Sequence, residues 1–358
     1  MNTTASNKRR FALWKCLVLF ASVAMVTVSV GTFLTRPAHP LVEPLSTPET
    51  QRLAALNESR ELSLESRAWA QDKSTALDAL TRSSWQEMAD LLEVQARALL
   101  HPNGPEFDQE RFDAGLESNG STPSPTAFAA KYKTPGELVV AIRNSGANLL
   151  KESLGQEPGM ARTFASAGVS RSFASVTLAK LAKLSNVSDP RFAGFTKVPA
   201  CSGTPVAAPA ATGAAAAIAS AVQSEQRSIY LYQVALTRLA PEMQNYAQKG
   251  LTAHQETLQQ ALALATAQCV IPSPAQPGYA LPSGFTADPV QGLAGVEKAA
   301  LEPYVDAVAL SEGSTREWAE SILYASYQRS SAWAGTQEAL PGLNVDVKSL
   351  PALPSFGP

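Results

Sequence analysis

Apolar residues recur at helical spacing along most of the chain, and the helices they predict differ in what interrupts them. Between about Ala207 and Leu239 the inward line is Ile218, Val222, Glu225, Ile229, Tyr232, Leu236 and Leu239, in alternating steps of four and three. A second line, from about Pro241 to Cys269, runs Ala247, Leu251, His254, Leu258, Ala261 and Ala265. A third, from Asp288 to about Leu310, runs Val290, Leu293, Glu297, Leu301, Tyr304 and Val308. Each core stripe thus carries one ionisable residue at similar depth. A lone buried carboxylate is costly, so Glu225, His254 and Glu297 are expected to satisfy one another or to hold a ligand. A fourth helix is expected to open at the capping box Ser314-Thr315-Arg316-Glu317, with Ala319, Ile322, Ser326, Trp333 and Leu340 facing inward.

Upstream, residues 49–184 form another helical region. Its early apolar positions (Leu53, Leu56, Leu77, Leu80, Met88, Leu91 and Leu99) are broken at His101-Pro102-Asn103-Gly104-Pro105 and again at Ser118 to Pro125. Thr134-Pro135-Gly136-Glu137 then places an N-cap, a first-turn proline and a glutamate. Helices follow to about Glu152 and from about Met160 to Leu184. Residues 185–206, rich in Pro, Gly, Ser and Ala, read as a linker, and residues 344–358 as an irregular tail.

The first 36 residues have a different pattern. Lys8, Arg9, Arg10 and Lys15 precede the uncharged stretch Cys16 to Leu34, long enough to span most of a bilayer. The positive-inside rule predicts an N-inside anchor with the bulk of the chain outside the cytoplasm. A cleaved signal peptide, cut near Ser29-Val30-Gly31, is the alternative. Residues 37–48, with Pro37, Pro40, Pro44 and Pro48, form a spacer. The expected partner of the N-terminal helix is the cell membrane.

Composition narrows the function. Alanine supplies about one residue in six and β-branched runs are scarce, which favours an all-α fold. A net charge of −2, with an acidic excess of about five over residues 206–358, excludes nucleic-acid binding by phosphate neutralisation. Three cysteines and three histidines exclude zinc fingers and iron–sulfur clusters. No nucleophile elbow, phosphate-cradling glycine loop or Cys-x-x-Cys is present. Cys201 precedes the first helix of the bundle and Cys269 ends the second. An antiparallel pair brings those positions together, so a disulfide is expected in an oxidising compartment.

Glu225 with Tyr232, His254, the Tyr279-Ala280-Leu281-Pro282 loop, Glu297, Trp333 and Leu340-Pro341-Gly342-Leu343 together resemble a ferritin-like domain family of unknown function. That family is typical of exported proteins of high-GC Gram-positive bacteria. The resemblance spans 207–343 and implies a four-helix bundle. It also invites a di-iron centre, which needs two single glutamates and two Glu-x-x-His pairs. Only Glu225, Glu297 and His254 match, Leu251 standing where one paired glutamate belongs. Three readings stay open: a hydrogen-bonded Glu225–His254–Glu297 cluster with Tyr232 beside it and no cofactor, a single divalent metal on the same trio, or three separated residues. The expected function is binding or scaffolding in the cell envelope, leaning away from catalysis. The alternatives are a mononuclear metal protein or oxidoreductase, and a bundle with room for an apolar ligand beside Ala214 to Ala217.

Overall fold

The computed structural model describes residues 45–72, 77–101, 131–184, 187–196 and 198–354. The Cys16 to Leu34 segment, most of the spacer and the breaks at residues 102–105 and 118–125 lie outside these residues. Among the described residues no helix is long and apolar enough to cross a membrane.

The described chain is all-helical apart from two short strands. Eight helices follow in order: α1 Thr47–Gln71, α2 Ala79–Ala98, α3 Pro135–Ser153, α4 Pro158–Leu181, α5 Gly213–Leu236, α6 Pro241–Ala267, α7 Pro289–Leu310 and α8 Gly313–Ala334. Local chemistry explains most boundaries. Thr134 caps α3, its hydroxyl accepting from the Glu137 N–H at 3.2 Å, while Glu137 accepts from the Lys133 N–H at 2.8 Å. Asp288 caps α7 through the Gln291 N–H at 3.0 Å. Asp78 caps α2 through the Thr81 N–H at 2.7 Å and thereby separates α2 from α1.

The box at Ser314 to Glu317 does not form. The helix begins at Gly313 with Glu312 at the cap position and no side-chain cap bond. Arg316 turns inward instead and donates to the backbone carbonyls of Ser311, Ser153, Leu154 and Gln156. Helix α5 also starts later than its alanine-rich sequence suggests. Val206 and Ala207 form a short parallel strand pair with Val270 and Ile271, and a 3-10 turn over Ala208–Ala210 follows.

Helices α1–α4 pack in pairs around Leu62, Trp85, Met88, Leu138, Ile142 and Leu178. The α3–α4 crossing is unusually close because it is built on glycines. A Cβ on Gly146 would lie 2.7 Å from Ser172 Oγ, and one on Gly168 would lie 2.9 Å from the Gly146 carbonyl. Helices α5–α8 surround a second interior, and part of that interior is shared. Leu150, Ala165 and Val169 belong to one cluster with Ile218, Val222, Leu301, Tyr304, Trp318 and Tyr327. From Leu45 onward the chain is one compact unit.

Two devices fasten the parts. Cys201 and Cys269 meet at disulfide distance, with Cα atoms 5.4 Å apart. The segment after α8 returns to the N-terminal helices. Leu340 packs among Leu56, Leu99 and Phe164, and Arg97 donates to the carbonyls of Val347, Leu350 and Pro351.

Candidate functional site: a buried ion cluster

The three interrupted stripes converge. Glu225 on α5, His254 on α6 and Glu297 on α7 are all fully buried. The imidazole lies between the two carboxylates: Nδ1 is 2.7 Å from Glu225 Oε2 and Nε2 is 3.1 Å from Glu297 Oε1. Tyr304 donates to Glu225 Oε1, and Tyr232 donates to Glu297 Oε1. The Tyr232 hydroxyl accepts in turn from Trp333 Nε1 at 2.9 Å. Gly250 makes room for this tyrosine, since a Cβ there would stand 2.6 Å from its ring.

A fourth ionisable residue completes the cluster. Arg329 on α8 donates through Nε to Glu297 Oε1 at 2.8 Å and through Nη2 to Ser326 Oγ at 3.0 Å. Its signal was present in the sequence. Arg329 falls three residues after Ser326 and four before Trp333, on the inward line of α8, where an arginine reads by default as a solvated residue. Tyr304 likewise belonged to a core stripe without its hydroxyl being assigned a partner.

The charges balance. Burial alone would lower the His254 pKa, but the attraction of Glu297 and Glu225 outweighs it and raises the imidazole to about 9. Burial alone would raise Glu297, but Arg329 and His254 outweigh it and pull the carboxyl down to about 2. Desolvation and the neighbouring carboxylates push both tyrosine hydroxyls upward, so they remain neutral donors. The imidazolium therefore donates from both nitrogens, to Glu225 Oε2 and Glu297 Oε1, and the Glu297 carboxylate is shared between two cations, His254 and Arg329.

This arrangement does not suit a metal ion. His254 has no ring nitrogen left to coordinate, and the carboxylates lie on opposite sides of the ring. Arg329 supplies the positive charge that an ion would otherwise bring. Within the cluster, Glu297 Oε2 alone is buried without a hydrogen-bond partner, and one acceptor is not a coordination sphere. Among the described residues, no group of three or more His, Cys, Asp or Glu side chains is placed to hold a metal. Leu251 is buried in the apolar layer beside the cluster, and Glu317 and Glu320 point away from it, toward α3.

No curated protein and no solved structure matches the chain. Residues 217–345, the stretch that carries Glu225, His254, Glu297 and Arg329, match the model of a family described as Domain of unknown function (DUF4439).

Proposed function

We propose that the chain is a membrane-tethered, extracytoplasmic helical protein whose ferritin-like bundle serves binding or scaffolding rather than catalysis. The observation that carries this reading is Arg329. A guanidinium beside Glu297, with His254 protonated between both carboxylates, does electrostatically what a metal would do in a ferritin-like centre. The cluster then fixes the relative register of four helices and has no open position for a substrate. The tether rests on the basic residues Lys8 to Lys15 ahead of the apolar run Cys16 to Leu34, and the Cys201–Cys269 pairing suits an oxidising compartment.

Metal analysis of protein purified without chelator tests the central point. The expected result is far less than one iron, manganese or zinc per chain, unchanged in His254→Ala. A stoichiometric metal that disappears in that variant would sink the reading in favour of a mononuclear metal protein. Protease added to intact cells should remove everything beyond Pro37 and spare the basic N-terminus. A soluble form beginning near Thr32 would replace the anchor by a cleaved signal. Peptide mapping without reduction should recover Cys201 joined to Cys269, and free alkylatable thiols at both positions would refute an oxidising location.

A further inference from the structure

One end of the helical unit carries both the entry of the chain and an exposed apolar surface. The bonds from Tyr304 to Glu225 and from Tyr232 to Glu297 set α7 antiparallel to α5, so Leu310, at the end of α7, lies toward the beginning of α5. The end of α6 returns to the same region, where Val206 and Ala207 pair with Val270 and Ile271. Arg316, in the first turn of α8, reaches the carbonyls of Ser153, Leu154 and Gln156 at the end of α3. The Gln156 side chain in turn donates to Gln51, near the start of α1. Leu45 therefore enters the unit at this end.

Three branched aliphatic side chains stand in solvent here: Val206 is 45% exposed, Ile271 57% and Leu310 46%. Residues 199–224 and 257–287, which carry the first two, contain no charged residue. The Cys201–Cys269 pairing fixes the backbone that presents them, and the Val206 N–H donates to the Cys269 carbonyl at 2.8 Å. Charged residues at this end include Glu49, paired with Arg52, Glu157, which caps α4, and Glu312, two positions beyond Leu310. Apolar side chains held in solvent on an uncharged, rigid surface mark a contact with a protein or a membrane.

We propose that this end lies against the lipid surface of a membrane, with Val206, Ile271 and Leu310 entering the boundary between headgroups and acyl chains. The inference rests on the membrane tether proposed above. Ten residues, 35–44, separate the apolar run ending at Leu34 from Leu45. Fully extended they reach at most about 36 Å, so the end at which Leu45 enters is held close to the bilayer. Helix α2, by contrast, carries its first residues roughly 30 Å away from this end. Three aliphatic side chains are too few to hold a free protein at a bilayer. A tethered surface is already at high local concentration and needs only to orient. An uncharged surface also requires no anionic lipid, so the contact is insensitive to salt.

Photo-crosslinking of the full chain in phosphatidylcholine–phosphatidylglycerol vesicles tests the assignment. A benzophenone-bearing amino acid at Val206 or at Ile271 should form lipid adducts several-fold more often than one at Leu80, which is 65% exposed at the opposite end. The adducts should persist at high salt. Ile271→Asp combined with Leu310→Asp should bring the Val206 probe down to the Leu80 level while the chain stays with the vesicles. Flotation after alkaline carbonate treatment reads the tether separately: a chain that leaves the vesicles overturns the tether, and the lipid contact with it. A chain that floats, yet gives no more lipid adduct at Val206 and Ile271 than at Leu80, overturns the lipid contact alone. Adducts formed at those two positions on protein instead of lipid also overturn it, in favour of a second copy as the occupant.

Discussion

The N-terminal and C-terminal halves each bury an arginine near the centre of their helices, and they neutralise it in opposite ways. In the C-terminal half Arg329 faces the ionised carboxylate of Glu297, and that pairing raises the guanidinium pKa further. In the N-terminal half Arg171, fully buried, is held by neutral groups. It donates to Gln95 Oε1 at 2.8 Å and to the hydroxyls of Ser145 and Ser59. Its one carboxylate, Glu58, is 3.6 Å away and 42% exposed. Desolvation lowers Arg171 to about 10, only partly offset by Glu58. The comparison separates two means of burying a cation. Dipoles can solvate it without creating a second buried charge, whereas an ion network ties several helices at the expense of desolvating every member.

The sharpest way to break this contrast is Glu297→Leu. It leaves Arg329 unpaired and His254 with one carboxylate, and it should cost about 3–5 kcal/mol in urea unfolding. Adding Arg329→Met should recover a good part of that loss. A single-variant cost below about 1 kcal/mol would mean that charge balance is not what holds the C-terminal interior together.

Stability against pH sharpens it further. His254 has a folded pKa of about 9 against an ordinary 6.5, so its contribution is complete below about 6.5 and lost as pH rises through 9. A shift of that size corresponds to roughly 3 kcal/mol. Glu320, raised from 4.5 to about 8, costs stability as it ionises and adds its own loss between those values, so the His254 share is read above pH 8. At the acid end, Glu297 contributes fully above its ordinary 4.5 and loses its contribution as pH falls toward 2. The parent chain should therefore be most stable near pH 4.5, falling gently to 6.5 through Glu320 and more steeply above it as His254 adds its own loss. His254→Gln should flatten the alkaline limb above pH 8, and Arg171→Met should leave that limb intact. A limb unchanged in His254→Gln would show that the imidazole is not the titrating group.

The smaller effects belong to the N-terminal half. Arg171→Met removes a cation and leaves Ser59, Ser145 and Gln95 each short of a partner, for a loss of about 1–3 kcal/mol by thermal or urea denaturation. Glu58→Gln should cost less than about 1 kcal/mol, because the carboxylate is 42% exposed and an amide oxygen can still accept from Ser145. A cost as large as that of Glu297→Leu would erase the distinction between the halves.

The sequence showed the C-terminal cluster more readily than the N-terminal one, for a physical reason. Glutamate and histidine interrupt an apolar stripe visibly, so Glu225, His254 and Glu297 stood out. Serine does not, because it is common on every helix face, and nothing in the spacing of Ser59, Gln95, Ser145 and Arg171 links four separate helices. Arg329 was hidden by the length of its own side chain, which places an arginine on the surface in most helices. A cap made by local bonds, as at Thr134, was legible. The expected cap at Ser314 failed because Arg316 found long-range partners in the carbonyls after α3, which no local pattern can announce. The shared interior of the two helical regions is equally non-local. Leu150 and Val169 look like ordinary core positions of their own helices, yet they pack with Ile218 and Tyr304.

The segment that follows α8 has a consequence for the timing of folding. Arg97, at the end of α2, completes its hydrogen bonds with carbonyls 250 to 254 positions later in the chain. At a synthesis rate of about 5–20 residues per second, those acceptors appear on the order of ten to fifty seconds after Arg97 itself. Over that interval the first helices lack the contacts that seal them, including the Leu340 side chain among Leu56, Leu99 and Phe164. Helices made early are thus among the last parts to be finished, and their maturation is set by the arrival of the segment that follows α8.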